Sequence, residues 1–442
     1  MKTFFLFLLL AMLPVAAAPP NIVLIMADDL GYGDLGCYGS KINRTPNIDA
    51  LAEAGLRFTD FHSSGAMCTP TRAATLTGLY QQRFGRKFDG AISGQRDYDS
   101  GLPLEAETIA EVSQGRGYAT GCFGKWHLGY KPPFLPTNQG FEEFVGLGSG
   151  DGDFHTHVDR SGREDWWRND RRVPETGYTT DLLTRHSVDF IRRHRDRPFL
   201  LYVPHLAIHF PWQGPDDPPH RKSGVSYHQD KWGIIPKPGN VAPHVKAMIE
   251  SLDKSVGEIV KELRRWKLEQ NTLVIFTSDN GGYLTYGKNF RNISSNGPLR
   301  GQKTQLYEGG HRVPFIASWP GRIKAGTSSQ TVHSTDLFPT FAAVAGFQNV
   351  KSDGRNLLPL LFRGETLSER MLFWRTSRER AVRSGSWKLV MTGKTSRLYD
   401  LSIDLGETRD QANLHPERVR QLQSAWQTWE DNVNRSAERF GD

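Results

Sequence analysis

Five stretches of the chain are continuously apolar over the length of a strand: Asn21-Ile22-Val23-Leu24-Ile25-Met26, residues 118–123, residues 198–203, Leu273-Val274-Ile275-Phe276-Thr277 and residues 313–317. Runs that show no polar face suit parallel strands covered on both sides. Between them apolar positions recur at three and four residues. Residues 46–55 carry Ile48, Leu51 and Ala52 on one face and close at Gly55; residues 179–193 read as a second helix. A third, over residues 244–266, places Met248, Ile249, Leu252, Val256, Ile259, Val260 and Leu263 on one stripe. This alternation predicts an α/β fold, a sheet flanked by helices on both faces. From about Ser368 the texture changes. Short strands at residues 381–383, 387–390 and 397–399, separated by Ser-Gly and Gly-Lys turns, predict a smaller antiparallel sheet. A helix from about Pro416 follows, with Val419, Leu422, Trp426, Trp429 and Val433 as a packing stripe.

The expected organisation is a leader over residues 1–18, a large α/β domain over 19–367 and a C-terminal α+β subdomain over 368–442. Lys2, the apolar run from Phe4 to Leu13 and Val15-Ala16-Ala17-Ala18 read as a secretory signal peptide, too short to span a membrane with ease. The expectation is export to the periplasm or the extracellular space, with no stable membrane insertion. A chain of 442 residues with 38% hydrophobic and 23% charged residues can bury a substantial core. Its net charge of +7 is mild and scattered, and no nucleic-acid-binding motif accompanies it, so nucleic acid is not an expected partner. Cys37, Cys68 and Cys122 make no disulfide framework, although Cys37 and Cys122 remain able to pair. Sequons at Asn43, Asn292 and Asn434 matter only in a eukaryotic host.

Candidate chemistry gathers around Cys68-Thr69-Pro70-Thr71-Arg72. Pro70 fits the first turn of a helix that Ala73, Ala74 and Leu76 continue, which puts Cys68 at a helix N-terminus, where backbone N–H groups favour an anion. Arg72 lies one turn on, with a fork suited to an oxyanion. The plain alternative is a buried thiol ahead of an ordinary helix. Two acidic pairs, Asp28-Asp29 and Asp279-Asn280, follow apolar strands, where ligands gather in open α/β sheets. Alone, either pair reads as a turn or cap. Together, four oxygen-bearing side chains suit a hard cation such as calcium or magnesium. Lys125, His127, His209 and Lys303 add cationic or acid–base groups near other strand ends. His205 and His209 have zinc-ligand spacing only on a helix, which Pro204 and Pro211 oppose.

Taken in order, Asp28-Asp29, Cys-Thr-Pro-Thr-Arg, Gly124-Lys125-Trp126-His127, His209, Ser278-Asp279-Asn280-Gly281-Gly282, and Lys303 ahead of Glu308-Gly309-Gly310-His311-Arg312 resemble the type I sulfatases, of alkaline-phosphatase-like fold. The resemblance implies that Cys68 is oxidised to formylglycine by a formylglycine-generating enzyme. It also implies that Asp28, Asp29, Asp279, Asn280 and residue 68 hold one calcium ion. In that family the hydrated aldehyde attacks sulfur. By position, Arg72 would orient it, His127 would assist breakdown of the sulfated adduct, His209 would protonate the leaving alcohol, and Lys125 and Lys303 would neutralise the sulfate. Three residues separate Cys68 from Arg72, too few for the loop of a cysteine phosphatase. A phosphodiesterase or phosphonate hydrolase of the same superfold, and a non-catalytic carbohydrate-binding protein, are the remaining rivals.

For substrate, the polar aromatic loop over residues 146–177 offers His155, His157, Trp166, Trp167 and Arg168, with Trp212 beyond it, to stack on a sugar ring and grip further sulfates. The alternative is a loop with its own small core. This loop and residues 202–215 also resemble polysaccharide sulfatases, carrageenan-active ones included. A sulfated carbohydrate is the expected substrate.

Overall fold

The computed structural model describes residues 18–229 and 240–440. The leader expected over residues 1–18 thus falls, apart from Ala18, outside the described residues. A ten-stranded mixed sheet forms the body of the molecule. At its centre, Thr272–Ser278, Asn21–Ala27, Phe199–Pro204, Ala119–Lys125 and Glu143–Leu147 lie side by side and parallel. Phe315–Ser318 adds antiparallel to Thr272–Ser278 and carries Leu56–Phe58 beyond it. The central strands are buried along their whole length, apart from half-buried Glu143, as their lack of a polar face requires.

Two apolar layers sandwich this sheet. One gathers Leu24, Cys122, Tyr202 and Phe315 from the strands with Leu76, Phe338 and Phe341 from helices. The other packs Val23, Phe123 and Phe276 against Phe190 and the Met248, Ile249, Leu252, Val256 stripe. Helix Val241–Arg265 begins three residues before the expected start, because Pro243 sits in its first turn, where no N–H is missed. Its buried Asp253 accepts the N–H groups of Asn47 (3.0 Å) and Ile48 (2.8 Å) and so caps helix Pro46–Glu53, whose own N-cap, Thr45, makes no side-chain capping bond. Cys37 packs with the second layer and Cys122 lies in the first; all three thiols are free.

The C-terminal region is a four-stranded antiparallel meander, Met371–Arg375, Glu379–Ser384, Trp387–Thr392 and Thr395–Asp400. Helix Pro416–Ala437 covers it with Leu422, Trp426, Trp429 and Val433, all buried, and half-buried Val419. The meander docks on the body through Trp374, which donates to Ser63 O (2.8 Å) and stacks on His311. Among the described residues no helix is long and apolar enough to cross a membrane.

Candidate active site

The parallel pairing of Ala27 with Ser278 sets the two acidic pairs next to each other at the carboxyl edge of the sheet. Carboxylate oxygens of Asp28, Asp29 and Asp279 lie within 4.8 Å of one another, and all three residues are buried. Asn280 Nδ2 donates to Asp29 Oδ1 at 2.8 Å. Asp28 Oδ1 and Asn280 Oδ1 are buried without a partner. Leaving such acceptors bare costs about 1–3 kcal/mol each, more for a charged group. Burial, with the charge of Asp279 beside it, pushes Asp28 up to about 8 against the pull of Lys125 and Arg72. Crowded acids with bare oxygens and no soft ligand fit a hard, oxygen-seeking cation.

Cys68 opens helix Cys68–Thr77 and is 2% exposed. Burial pushes its thiol up despite Lys125 and Lys303, so the thiolate a cysteine phosphatase requires is disfavoured. Lys303 Nζ lies 3.6 Å from Cys68 Sγ and 2.5 Å from Asp29 Oδ1. Lys125, at the end of its strand, donates to Asp28 Oδ2 at 2.5 Å. Its neighbour Gly124 is obligatory: a Cβ there would stand 1.9 Å from Pro204 O. The Arg72 fork is directed at Asp279 Oδ2, through Nε (2.9 Å) and Nη2 (2.8 Å), and at Lys125 O. It therefore steadies an acid of the cluster instead of reaching an oxyanion in the cleft.

His127, just past the strand that ends at Lys125, turns into the left-handed region with φ of 55°. Its Nε2 contacts Ile92 O at 3.0 Å, and a carbonyl there requires the ring proton on Nε2. Nδ1 is left buried without a partner. Gly150 makes room for the ring, since a Cβ would stand 2.3 Å from it. His209 has the opposite tautomer. Its Nδ1 faces Phe210 O at 2.7 Å, leaving Nε2 open, 3.9 Å from Asp29 Oδ2. Burial holds both imidazoles well below the usual range, Lys125 adding to the effect. His205 instead meets Ser255 Oγ at 3.2 Å.

A cleft of about 290 Å³ opens over this floor, with Cys68, His127, His209 and Lys303 among its lining. None of the loop residues expected to grip substrate lines it. Trp166 and Trp167 are buried, their indoles donating to Glu175 (2.9 Å) and Asp165 (2.7 Å), and His157 stacks on Trp166. Trp212 packs against Phe210 and Phe290. Arg168 is exposed on strand Trp167–Arg168, next to the sheet's edge strand Arg171–Arg172. His155, His157 and Trp166 border a separate cavity of about 480 Å³. The loop has its own core, so its aromatics are consumed in packing. The walls come instead from Tyr130, Asp151, Arg160, Phe210, Tyr283 and Tyr286. Tyr283 follows the Asp-Asn-Gly-Gly run directly, a proximity legible in the sequence; Arg160 had no such signal.

Buried cations, neutral histidines and an acidic cluster under one small cleft describe a hydrolase of anionic esters. Comparison with known proteins gives the class its name. The Sulfatase family model matches residues 20–347, and the chain belongs to that family. It is 38% identical to human arylsulfatase A over 88% of this chain and 78% of that protein. It is 34% identical to dog N-acetylgalactosamine-6-sulfatase over 84% of this chain and 72% of that one. Among solved structures, Ps i-CgsB in complex with k-i-k-neocarrahexaose aligns with a TM-score of 0.83 at 30% identity, covering 95% of this chain and 94% of that chain. The phosphonate monoester hydrolase of Agrobacterium radiobacter shares the fold at a TM-score of 0.63 and 18% identity.

Proposed function

We propose that this sulfatase, exported to the periplasm or the extracellular space, removes sulfate from an extracellular sulfated carbohydrate, using formylglycine made from Cys68 and one calcium ion. The observation that carries the proposal is the pair of bare acceptors, Asp28 Oδ1 and Asn280 Oδ1, in the acidic cluster beside position 68. Asp28, Asp29, Asp279, Asn280 and residue 68 would hold the ion. Bound calcium supplies positive charge to sulfate oxygens, and formylglycine supplies the oxygen nucleophile.

The chain's own residues do the rest. Lys303, 3.6 Å from the Cys68 sulfur, binds a sulfate oxygen, and Lys125 supports it from the Asp28 side. Arg72 is a positioning residue that fixes Asp279 and the Lys125 carbonyl. His127, with its proton fixed on Nε2, offers Nδ1 as the proton acceptor at position 68. His209 presents Nε2 to the cleft; because its resting proton sits on Nδ1, it must gain a second proton there, favoured by the negative charge of bound sulfate, before it can protonate the leaving alcohol. Each preorganised group contributes roughly 3–4 kcal/mol, and several together reach the 8 kcal/mol or more an enzyme must supply. A cleft of about 290 Å³ suits one sulfated sugar unit. The neocarrahexaose complex of Ps i-CgsB supports a sulfated polysaccharide as the source of that unit.

The test is sulfate release from a panel of sulfated glycans, with conversion at position 68 verified by peptide mass. Sulfate from one glycan class is the expected result. None from any of them, with conversion and calcium verified, would overturn the proposal and redirect the search to phosphodiesters and phosphonates.

A further inference from the structure

The cleft wall at Phe210 carries a charge the sulfate chemistry does not use. Arg160 donates to Asp151 Oδ2 through Nε (2.9 Å) and Nη2 (2.6 Å), and its guanidinium lies over Phe210, 4.8 Å from the ring centre. Phe210 adjoins His209, so this cation stands on the side of the cleft assigned to the leaving alcohol. Asp151 cannot neutralise it alone, because the fully buried Arg221 also reaches Asp151 Oδ2 at 3.4 Å. Asp159 is matched by Arg163 at 3.6 Å. Asp151 and Asp159 are thus each already engaged by an arginine other than Arg160, with Asp153 and Asp165 in the layer behind them, and Arg96 also lines the cleft. Arg160 keeps 28% of its side chain exposed, and no hydrogen bond of its Nη1 is found among the described residues. Its orientation is fixed by an ion pair below and an aromatic face beside it, so little entropy opposes its use.

We propose that Arg160 is a specificity residue that binds a second anionic group, a sulfate ester or a carboxylate, on the sugar whose sulfate is removed or on its neighbour. This rests on the sulfatase reading above and narrows it to multiply charged glycans. A guanidinium fork is matched to either group, and a charge-assisted bond of this kind changes affinity by roughly 10- to 100-fold.

The test uses converted, calcium-loaded enzyme and matched galactosides bearing one sulfate, two sulfates, or one sulfate and one carboxylate. Wild type is expected to show a kcat/KM roughly 10- to 100-fold higher on a doubly charged substrate, with the difference in KM. Which doubly charged arm shows it tells whether sulfate or carboxylate is the second group. Arg160→Gln should bring the ratio close to one, and Arg160→Lys, which keeps the charge without the fork, should restore part of it. Wild type that treats all substrates alike would overturn the proposal. So would an Arg160→Gln variant that loses activity equally on every substrate while melting earlier, since that marks a strut of the loop. No sulfate from any substrate would remove the sulfatase reading itself, and this inference with it.

Discussion

Two of the buried charge clusters among the described residues each hold three acids against three permanent cations. In the cleft floor they are Asp28, Asp29 and Asp279 against Arg72, Lys125 and Lys303. At the docking face of the C-terminal meander they are Asp60, Glu308 and Glu407 against Arg312, Arg383 and Lys388. The second contains a ligand-like triad too, His62, Glu308 and His311. Its cation position is already taken. Lys388 Nζ sits 2.8 Å from Glu308 Oε1, 3.0 Å from His311 Nε2 and 3.1 Å from Glu407 Oε1. Arg312 and Arg383 hold Asp60, which lies well below the carboxylate range, where a hydrogen bond from His62 and the arginines outweigh burial. In the cleft the cations flank the acids and leave Asp28 Oδ1 and Asn280 Oδ1 bare, whereas Glu407 Oε1, also without a formed hydrogen bond, has the Lys388 ammonium at 3.1 Å. Composition does not separate a structural ion network from a metal site; the placement of the lysine nitrogens does.

The comparison can be broken in four ways. The largest effect falls on the cleft: Cys68→Ala should lower sulfate release by at least about a thousandfold with little change in unfolding midpoint, read by ion chromatography and thermal melts. Lys388→Met should do the reverse. Removing the one cation shared by Glu308 and Glu407 should cost about 3–5 kcal/mol in urea unfolding, and the surviving folded enzyme should turn over normally. Chelation should affect the cleft only, lowering activity about a hundredfold and the melting temperature by a few degrees, both restored by calcium. A chelator that left activity unchanged would place the two clusters in one class.

The smallest effect is a titration. One lysine serves two carboxylates, and burial with the charge of Glu308 pushes Glu407 up to about 7 from the ordinary 4.5. A carboxyl raised on folding withholds its proton from solvent between these values, so stability should fall as pH rises from 4.5 to about 7 and level off above. Glu407→Gln should flatten that slope, a change on the order of 2 kcal/mol across the interval, read from unfolding midpoints at successive pH values.

Legibility in the sequence followed the range of the forces involved. Helix Thr179–Arg193 and the strand at residues 21–27 could be read locally because an amphipathic stripe and a two-faced apolar run state their own burial. The four oxygen-bearing side chains that meet at the sheet edge were legible as a set because each pair directly follows such a run, and parallel pairing does the rest. Strand Glu143–Leu147 was not, since Glu143 at its start is spent on Arg193 and Gly146 interrupts the apolar pattern. Helix Leu337–Val344 hid behind its own Pro339. The substrate-facing wall failed for a different reason. Whether an indole in a long loop meets a sugar or a neighbouring carboxylate depends on loop packing, which no local pattern encodes, and Trp166 and Trp167 found Glu175 and Asp165.

The burial of Cys68 also sets an order of events. With its thiol beneath the sheet edge and 2% exposed, enclosed by Lys303 and the acid cluster, no second enzyme has a path to it once the strands have closed. The oxidation proposed at that position belongs to the chain's youth, before collapse, when residues 68–72 are still an open ribbon. If that oxidation takes place, folding is its deadline: a molecule that closed early would be sealed with an unripe residue, native in shape and silent in chemistry.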